Sequence, residues 1–336
     1  MKIGIAKETA PLEERVILRP QEVRDITKKG HSVIVEKNAG IGVNFTDEDY
    51  EDARAQIVED RLALYRDVEL LVKLKAPTPD EFGMLEKNIL FSMLHHQQNP
   101  VHLYYLGKNG VVAIEMESVK NSAGERLIDT TDMTAEAGVL YTNRHLKKIV
   151  SETKVLILGY GRVGSAAISI CNKLGMSVKI LRREEYRHTK HFLEGKDILI
   201  NAIAWPASER KDQQYVVRRD MLKLMNRGAI ILDLSVDFPS PIETCKATTL
   251  SNPWYLEEGV THISIYGYPG LVPVSCTERY SKQVLPIVLT VADSGLKGLS
   301  GKGELGKYIS KAIVDPKKKD WEKYEPAEQP PRSLIE

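Results

Sequence analysis

Three glycines, Gly159, Gly161 and Gly164, stand in G-x-G-x-x-G spacing at the end of the apolar run 155–158 (VLIL), where a helix-like stretch begins. Each position meets a separate need of a bound pyrophosphate. Gly159 makes the tight turn, Gly161 lets the main chain approach the phosphates, and Gly164 lets the helix lie close on the strand. Arg162 and Val163, between the last two glycines, fill the first helical turn, whose free amides face the anion. Residues 155–183 therefore predict strand, glycine turn, helix and second strand, which is a dinucleotide-binding unit.

The second strand, 177–181, ends in Arg182 and Arg183 at the place where an Asp or Glu would accept hydrogen bonds from the adenosine ribose. A guanidinium cannot accept them, but it pairs well with a phosphate, so the expected cofactor is NADP, with NAD the alternative. In that alternative the two arginines are solvated and Glu184 or Glu185 takes the ribose.

These residues need a scaffold, and 336 residues suffice for two domains with cores of their own. The expected fold class is α/β, with two Rossmann-like doubly wound domains separated by a cleft and bridged by long helices. Before the fingerprint, 2–6, 31–36, 70–75, 89–94 and 110–115 read as strands, and 20–29 and 47–55 read as helices. Strands alternating with helices imply parallel sheets covered on both faces. Helix-compatible spacing at 132–149 and 282–296 supplies the bridging segments. The chain divides into a substrate domain, 1–131 plus about 275–336, and a dinucleotide-binding domain, 132–274. Residues 315–336, with KKK and several prolines, read as a tail that is mobile or draped on a neighbour.

Composition excludes several roles. The 47 basic and 46 acidic residues nearly cancel, which offers no footprint for nucleic acid or an anionic membrane. Three cysteines without C-x-x-C spacing suit reduced thiols, and no apolar run reaches spanning length, so a cytoplasmic protein without membrane partners is expected. The histidine clusters 95/96/102 and 188/191 lack cysteine or acidic ligands at tetrahedral spacing, and no metal site is expected.

The opening forty residues (MKIGIAKE, EERV, a proline, GH, VIVEKNAG) resemble the N-terminal domain of alanine dehydrogenases and of the transhydrogenase α subunit. The likeness continues through FTDEDY at 45–50, LLVKLKAP at 70–77, ILFSMLH at 89–95, ILDLSVD at 231–237 and the loop 269–273. The resemblance implies that Arg15 binds a substrate carboxylate and Lys75 a carboxylate or carbonyl oxygen. It implies that His95 transfers protons and that Asp237 lies beside the nicotinamide and the reacting nitrogen. His96 follows His95 where the family has an apolar residue, and Ala76 replaces a family Glu. The compact join between 146–149 and the nucleotide strand, with arginine at the ribose position, resembles N5-(carboxyethyl)ornithine synthase.

The chemistry implied is hydride transfer between a nicotinamide and a carbon bearing nitrogen, through an imine. A 2-oxo acid such as pyruvate condenses with an amino-acid amine; the alternatives are an alanine-type dehydrogenase using ammonia and a transhydrogenase-like nucleotide-binding subunit. Arg15, Lys75 and His95 would supply a carboxylate anchor, an oxygen contact and a proton carrier, and Asp237 would steady an iminium cation. Taken singly, each has a plainer reading. Arg15 and Lys75 are solvated charges, His95 or His96 caps a strand, and Asp237 is a helix N-cap before Pro239. Tyr268, in a Gly-Tyr-Pro-Gly loop, either stacks on substrate or packs in a turn. A homo-oligomer, dimer or larger, is expected from the long late helix.

Overall fold

The computed structural model describes residues 1–205 and 214–326, which form two compact units. The first comprises Met1–Asp129 and the chain from Pro273 onward, and the second is Thr130–Val272.

The first unit holds strands β1 (Lys2–Ile5), β2 (Ser32–Glu36), β3 (Gln56–Val58), β4 (Leu70–Lys75), β5 (Ile89–Met93) and β6 (Val112–Glu115). Between them run α1 (Pro20–Lys28), α2 (Asp47–Asp52), α3 (Arg61–Asp67), α4 (Pro79–Met84) and α5 (Val101–Lys108). The strands are parallel, as strands joined through helices must be. Across the sheet they lie in the order β6-β5-β4-β1-β2-β3, so the winding reverses between β1 and β4. That reversal opens a crevice at the carboxyl ends of the central strands, where ligands of such sheets bind. Proline at the first turn of α1 and α4, and capping boxes at Thr46 and Thr78, start the helices where the chain leaves the sheet.

The second unit holds β7 (Lys154–Leu158), β8 (Ser177–Leu181), β9 (Ile198–Asn201), β10 (Ile230–Asp233), β11 (Trp254–Glu257) and β12 (Val260–Ile263), in the order β11-β12-β10-β9-β7-β8. Only β11 runs antiparallel to its neighbour. The unbroken apolar runs reflect burial on both faces: Val155 and Ile157 pack under α6 (Thr131–Thr142) and α7 (Arg162–Lys173), while Leu156 and Leu158 face the opposite layer. Beside that opposite layer lies the short α8 (Thr189–Leu193).

The chain passes from the first unit to the second at Asp129–Thr130 and returns at Val272–Pro273. After the return come α9 (Pro273–Ser294), α10 (Gly303–Lys311) and β13 (Ile313–Val314), which pairs antiparallel with β6. The helix expected at 282–296 thus starts nine residues earlier, led by a proline, and runs through Pro286. The expected tail divides after Pro326: its last ten residues, 327–336, lie outside the described residues. Residues before that point pack on the first unit's own α5. Tyr104 Oη donates to Glu325 at 2.9 Å, and the Trp321 ring lies 5.9 Å from that of Tyr104. No described helix is long and apolar enough to cross a membrane.

Candidate functional site

In the second unit, the three glycines differ in what surrounds them. Gly159 has φ +99°, and a methyl group there would meet Ala202 O at 2.6 Å. A methyl at Gly164 would come 2.4 Å from Gly159 O, so the helix lies directly on the turn. At Gly161, the N-cap of α7, nothing lies within 4 Å, leaving open space over the start of a 12-residue helix with Arg162 and Val163 in its first turn. Two positions that cannot hold a side chain for lack of room, and a third that faces open space, match the needs of a bound pyrophosphate.

Arg182 and Arg183 follow β8 and are exposed. The Arg182 guanidinium lies 5.1 Å from the centre of the Tyr160 ring, which is itself 56% exposed. Glu185 is engaged elsewhere, accepting from the Arg182 amide at 3.0 Å. That leaves exposed Glu184 as the acid of the NAD alternative.

In the first unit, the loop after β1 carries Arg15, β4 ends at Lys75, His95 follows β5 and Glu117 follows β6. All therefore sit toward the carboxyl ends of the strands around the crevice. Arg15 is buried, and its Nε (2.6 Å) and Nη2 both donate to Glu13, while Nη1 reaches Cys276 Sγ at 3.5 Å. The two-pronged edge expected to grip a carboxylate is thus taken by Glu13, and only Nη1 is turned elsewhere. Although burial disfavours its charge, the bonds to Glu13 outweigh that and hold the guanidinium firmly protonated.

Lys75 keeps part of its surface open. Burial and the Arg15 charge bring its amine down to about 8. His95 adopts a left-handed conformation, φ +48°, and both its amide and Nδ1 (3.1 Å) meet Glu117 Oε1. Burial, then Arg126, lowers the imidazole to about 4. Glu117 moves the other way: burial and the ionised Glu115 nearby raise it to about 8. Its Oε2 is buried with no hydrogen-bond partner among the described residues, a place where a full negative charge would be costly. At neutral pH the pair therefore stores its proton on the carboxyl and keeps the ring neutral.

His96 faces another way. Its Nδ1 bonds Glu115 Oε1 at 2.8 Å and its Nε2 lies 3.2 Å from Lys319 Nζ. The Lys75 charge is among those that act on the His95 ring.

Two expected placements are corrected. Strand β10 ends at Asp233, and Asp237 lies four residues on, in a loop where Val236 has φ +50°; no helix starts at Pro239 for it to cap. Asp233 is wholly buried and shapes that loop, accepting from Asn201 Nδ2 and Ser240 Oγ at 2.9 Å and from the amides of Ser235 and Val236 at 3.1 Å. Tyr268 packs rather than presenting its ring to substrate. It is 1% exposed, and its hydroxyl donates to the carbonyls of Asp233 (2.8 Å) and Ile263 (3.0 Å). Among the described residues, no group of three or more His, Cys, Asp or Glu is placed to hold a metal ion.

Sequence reasoning missed Glu13, Glu117 and the acid at Glu8 beneath Lys75. A weak signal existed for Glu117, since Glu115-Met-Glu117 puts two carboxylates at the end of an apolar strand.

Comparison with known proteins finds family matches along most of the chain. Residues 4–137 match the alanine dehydrogenase/PNT N-terminal domain and 181–310 its C-terminal domain, while 123–235 also match the NAD binding domain of D-isomer specific 2-hydroxyacid dehydrogenases. Alanine dehydrogenase of Staphylococcus epidermidis is 31% identical, with 88% of this chain and 89% of that protein covered. That of Staphylococcus haemolyticus is 30% identical, with 88% of each covered. Among solved structures, an L-alanine dehydrogenase superposes with a TM-score of 0.81 at 28% identity, over 94% of this chain and 96% of that one. A transhydrogenase from Sinorhizobium meliloti shares the fold, with a TM-score of 0.74 at 20% identity over 87% and 95%. On this sequence likeness and this fold, the chain belongs to the alanine dehydrogenase/PNT family of oxidoreductases.

Proposed function

We propose that the protein is a nicotinamide-dependent amino-acid dehydrogenase that interconverts an amino acid with its 2-oxo acid and ammonia. Per turnover, the amino acid, water and the oxidised nicotinamide give the 2-oxo acid, ammonia, the reduced nicotinamide and a proton. The observation that carries the reading is Lys75, an amine held near 8 at the carboxyl edge of the sheet, with Arg15 and His95 within electrostatic reach. The curated relatives named alanine dehydrogenase favour ammonia over the amino-acid amine expected from the compact nucleotide join.

The bound nicotinamide supplies the hydride acceptor or donor. Gly159, Gly161, Arg162, Val163 and Gly164 would hold its pyrophosphate on the α7 N-terminus. Arg182, braced on Tyr160, together with Arg183, would select the 2′-phosphate of NADP. Arg15 would offer Nη1 to the substrate carboxylate, and protonated Lys75 would hold the oxygen that water adds or that leaves. Neutral His95 would give the proton on its outer nitrogen to the reacting oxygen or nitrogen while the protonated Glu117 carboxyl, which meets Nδ1, replaces it on the far side of the ring; in the reverse direction both protons move back, onto the ring and then onto the Glu117 carboxylate. Asp237 is assigned to the stabilisation of the iminium cation. We assign the enzyme a homo-oligomeric state and place it in the cytoplasm.

The test follows NADPH and NADH oxidation by absorbance with pyruvate, comparing ammonium with a panel of free amino acids that includes ornithine and lysine. Turnover with ammonium is expected. Turnover only with an amino acid would replace this reading with the condensing, opine-type one. Dinucleotide binding with no turnover on any amine, and no effect of Lys75→Ala, would give first place to a nucleotide-binding subunit.

A further inference from the structure

The sheet alone does not hold Lys75 in place. Strand β4 pairs with β1 only as far as Ile5 opposite Val72, with one longer bond from the Ala6 amide to Val72 O. On its other side, the register against β5 slips between Val72 and Lys75. The last residues of β4 have therefore outrun one neighbour and lost step with the other. The Glu8 carboxylate takes over there: Oε1 accepts from the Leu74 amide at 2.7 Å, and Oε2 from the Lys75 amide at 3.3 Å. Successive amides of a regular strand point to opposite sides, so two of them meeting one carboxylate requires the break that the register shows.

Glu8 is itself secured. It is 6% exposed, and Oε2 also accepts from Lys73 Nζ at 2.9 Å, while that lysine is 1% exposed. Burial disfavours the Lys73 charge, but Glu8 and Glu81 outweigh it and keep the amine protonated. The chain of charges continues outward: Lys73 to Glu81 at 3.5 Å, Glu81 to Arg61 at 3.2 Å, and Arg61 to Glu36 at 2.6 Å. A buried ionic chain of this kind contributes little net stability compared with apolar residues of the same volume, so its presence calls for another reason.

We propose that Glu8 is a positioning residue for Lys75: its carboxylate, held by Lys73 Nζ, sets the main chain of residues 74–75 and so aims the Lys75 amine. Lys73 and Lys75 thus have different tasks, one as counter-ion and one as contact to substrate. This inference rests on the dehydrogenase reading only for what Lys75 touches.

The test uses the full chain as wild type, as the double variant Glu8→Gln/Lys73→Met, which removes both buried charges, and as Lys75→Arg. Thermal melting and NADPH binding show that each variant folds and that the second unit is intact. Reductive methylation with 13C-formaldehyde reads the Lys75 amine without any substrate, its resonance being identified by its loss in Lys75→Arg. The wild-type amine should titrate near 8. In the double variant it should titrate at least about half a unit away from the wild-type value, because the paired charges nearly cancel and the amine is no longer held in its wild-type surroundings, and kcat/KM for pyruvate should fall at least about tenfold. A folded double variant with wild-type titration and wild-type kcat/KM would overturn the proposal and leave Glu8 a plain structural counter-ion. A moved titration in a protein whose wild type turns over no 2-oxo acid would uphold the role of Glu8 and overturn the dehydrogenase reading instead.

Discussion

Replacing Gly161 and Gly164 by alanine, one at a time, should separate two demands that the glycine turn meets at once. At position 164 the added methyl would sit 2.4 Å from Gly159 O and 3.0 Å from its carbonyl carbon. Both are main-chain atoms of a residue already at φ +99°, so relief requires lifting α7 off the turn. Overpacking of this kind costs about 1–3 kcal/mol. For a unit of this size that corresponds to a fall of roughly 3–10 °C in Tm. At position 161 the methyl meets nothing within 4 Å and the backbone is already extended, so the folded state should lose less than about 1 kcal/mol. The methyl does project where a pyrophosphate must approach, and the NADPH Kd should rise at least about tenfold, or 1.4 kcal/mol. Differential scanning calorimetry without ligand and fluorescence titration with NADPH measure the two effects. Wild-type affinity in Gly161→Ala would refute the assignment of the turn to a pyrophosphate, and a wild-type Tm in Gly164→Ala would refute the packing argument.

Other outcomes follow from the same geometry. Arg182→Ala/Arg183→Ala should lower kcat/KM for NADPH by roughly 10- to 100-fold, the value of a charge-assisted phosphate contact, with little change for NADH; equal losses for both cofactors would exclude a 2′-phosphate role. Because Lys75 must be protonated to hold an oxygen, kcat/KM for the 2-oxo acid should fall about tenfold per pH unit above about 8, and Lys75→Arg should flatten that limb. Glu117 has its folded value raised from the usual carboxylate range to about 8, so its share of stability is full below the unfolded value and is lost as pH rises through the folded one. Glu117→Gln should therefore melt higher than wild type at pH 9 but not at pH 4, while its kcat falls; an unchanged pH dependence of Tm would contradict a protonated Glu117.

The α/β architecture was readable because burial on both faces leaves unbroken apolar runs such as 155–158 and 70–72, and glycine, proline and threonine mark where the chain turns. The glycine triad was readable for the same local reason. Partners were not. Glu8 and Lys73 are 65 residues apart, and nothing local separates them from the many solvated acids and lysines of this chain. Arg15 could be named from the family block, but not its capture by Glu13 two residues away, which depends on how the loop folds back on itself. The apolar run continues to Leu234 and so does not mark where the strand stops, whereas Asp233 ends it by taking two amides of the next turn and leaves Asp237 in the loop beyond. Tyr268 looked like a loop residue because its neighbours are glycine and proline, yet its hydroxyl finds two main-chain carbonyls inside the core.

Gly107, in the last turn of α5, gives the C-terminal segment a keyhole. A methyl there would lie 2.1 Å from Trp321 Cδ2, so the indole occupies the space that any side chain would claim. Changing Gly107 to alanine is the kind of exchange that strengthens an isolated helix by about 0.5–1 kcal/mol. In this protein it would expel a tryptophan two residues after Lys319, the residue that meets His96. A change made to stiffen one helix would thus unfasten a segment more than 200 positions away in the chain, together with the neighbour of His95 that the segment holds.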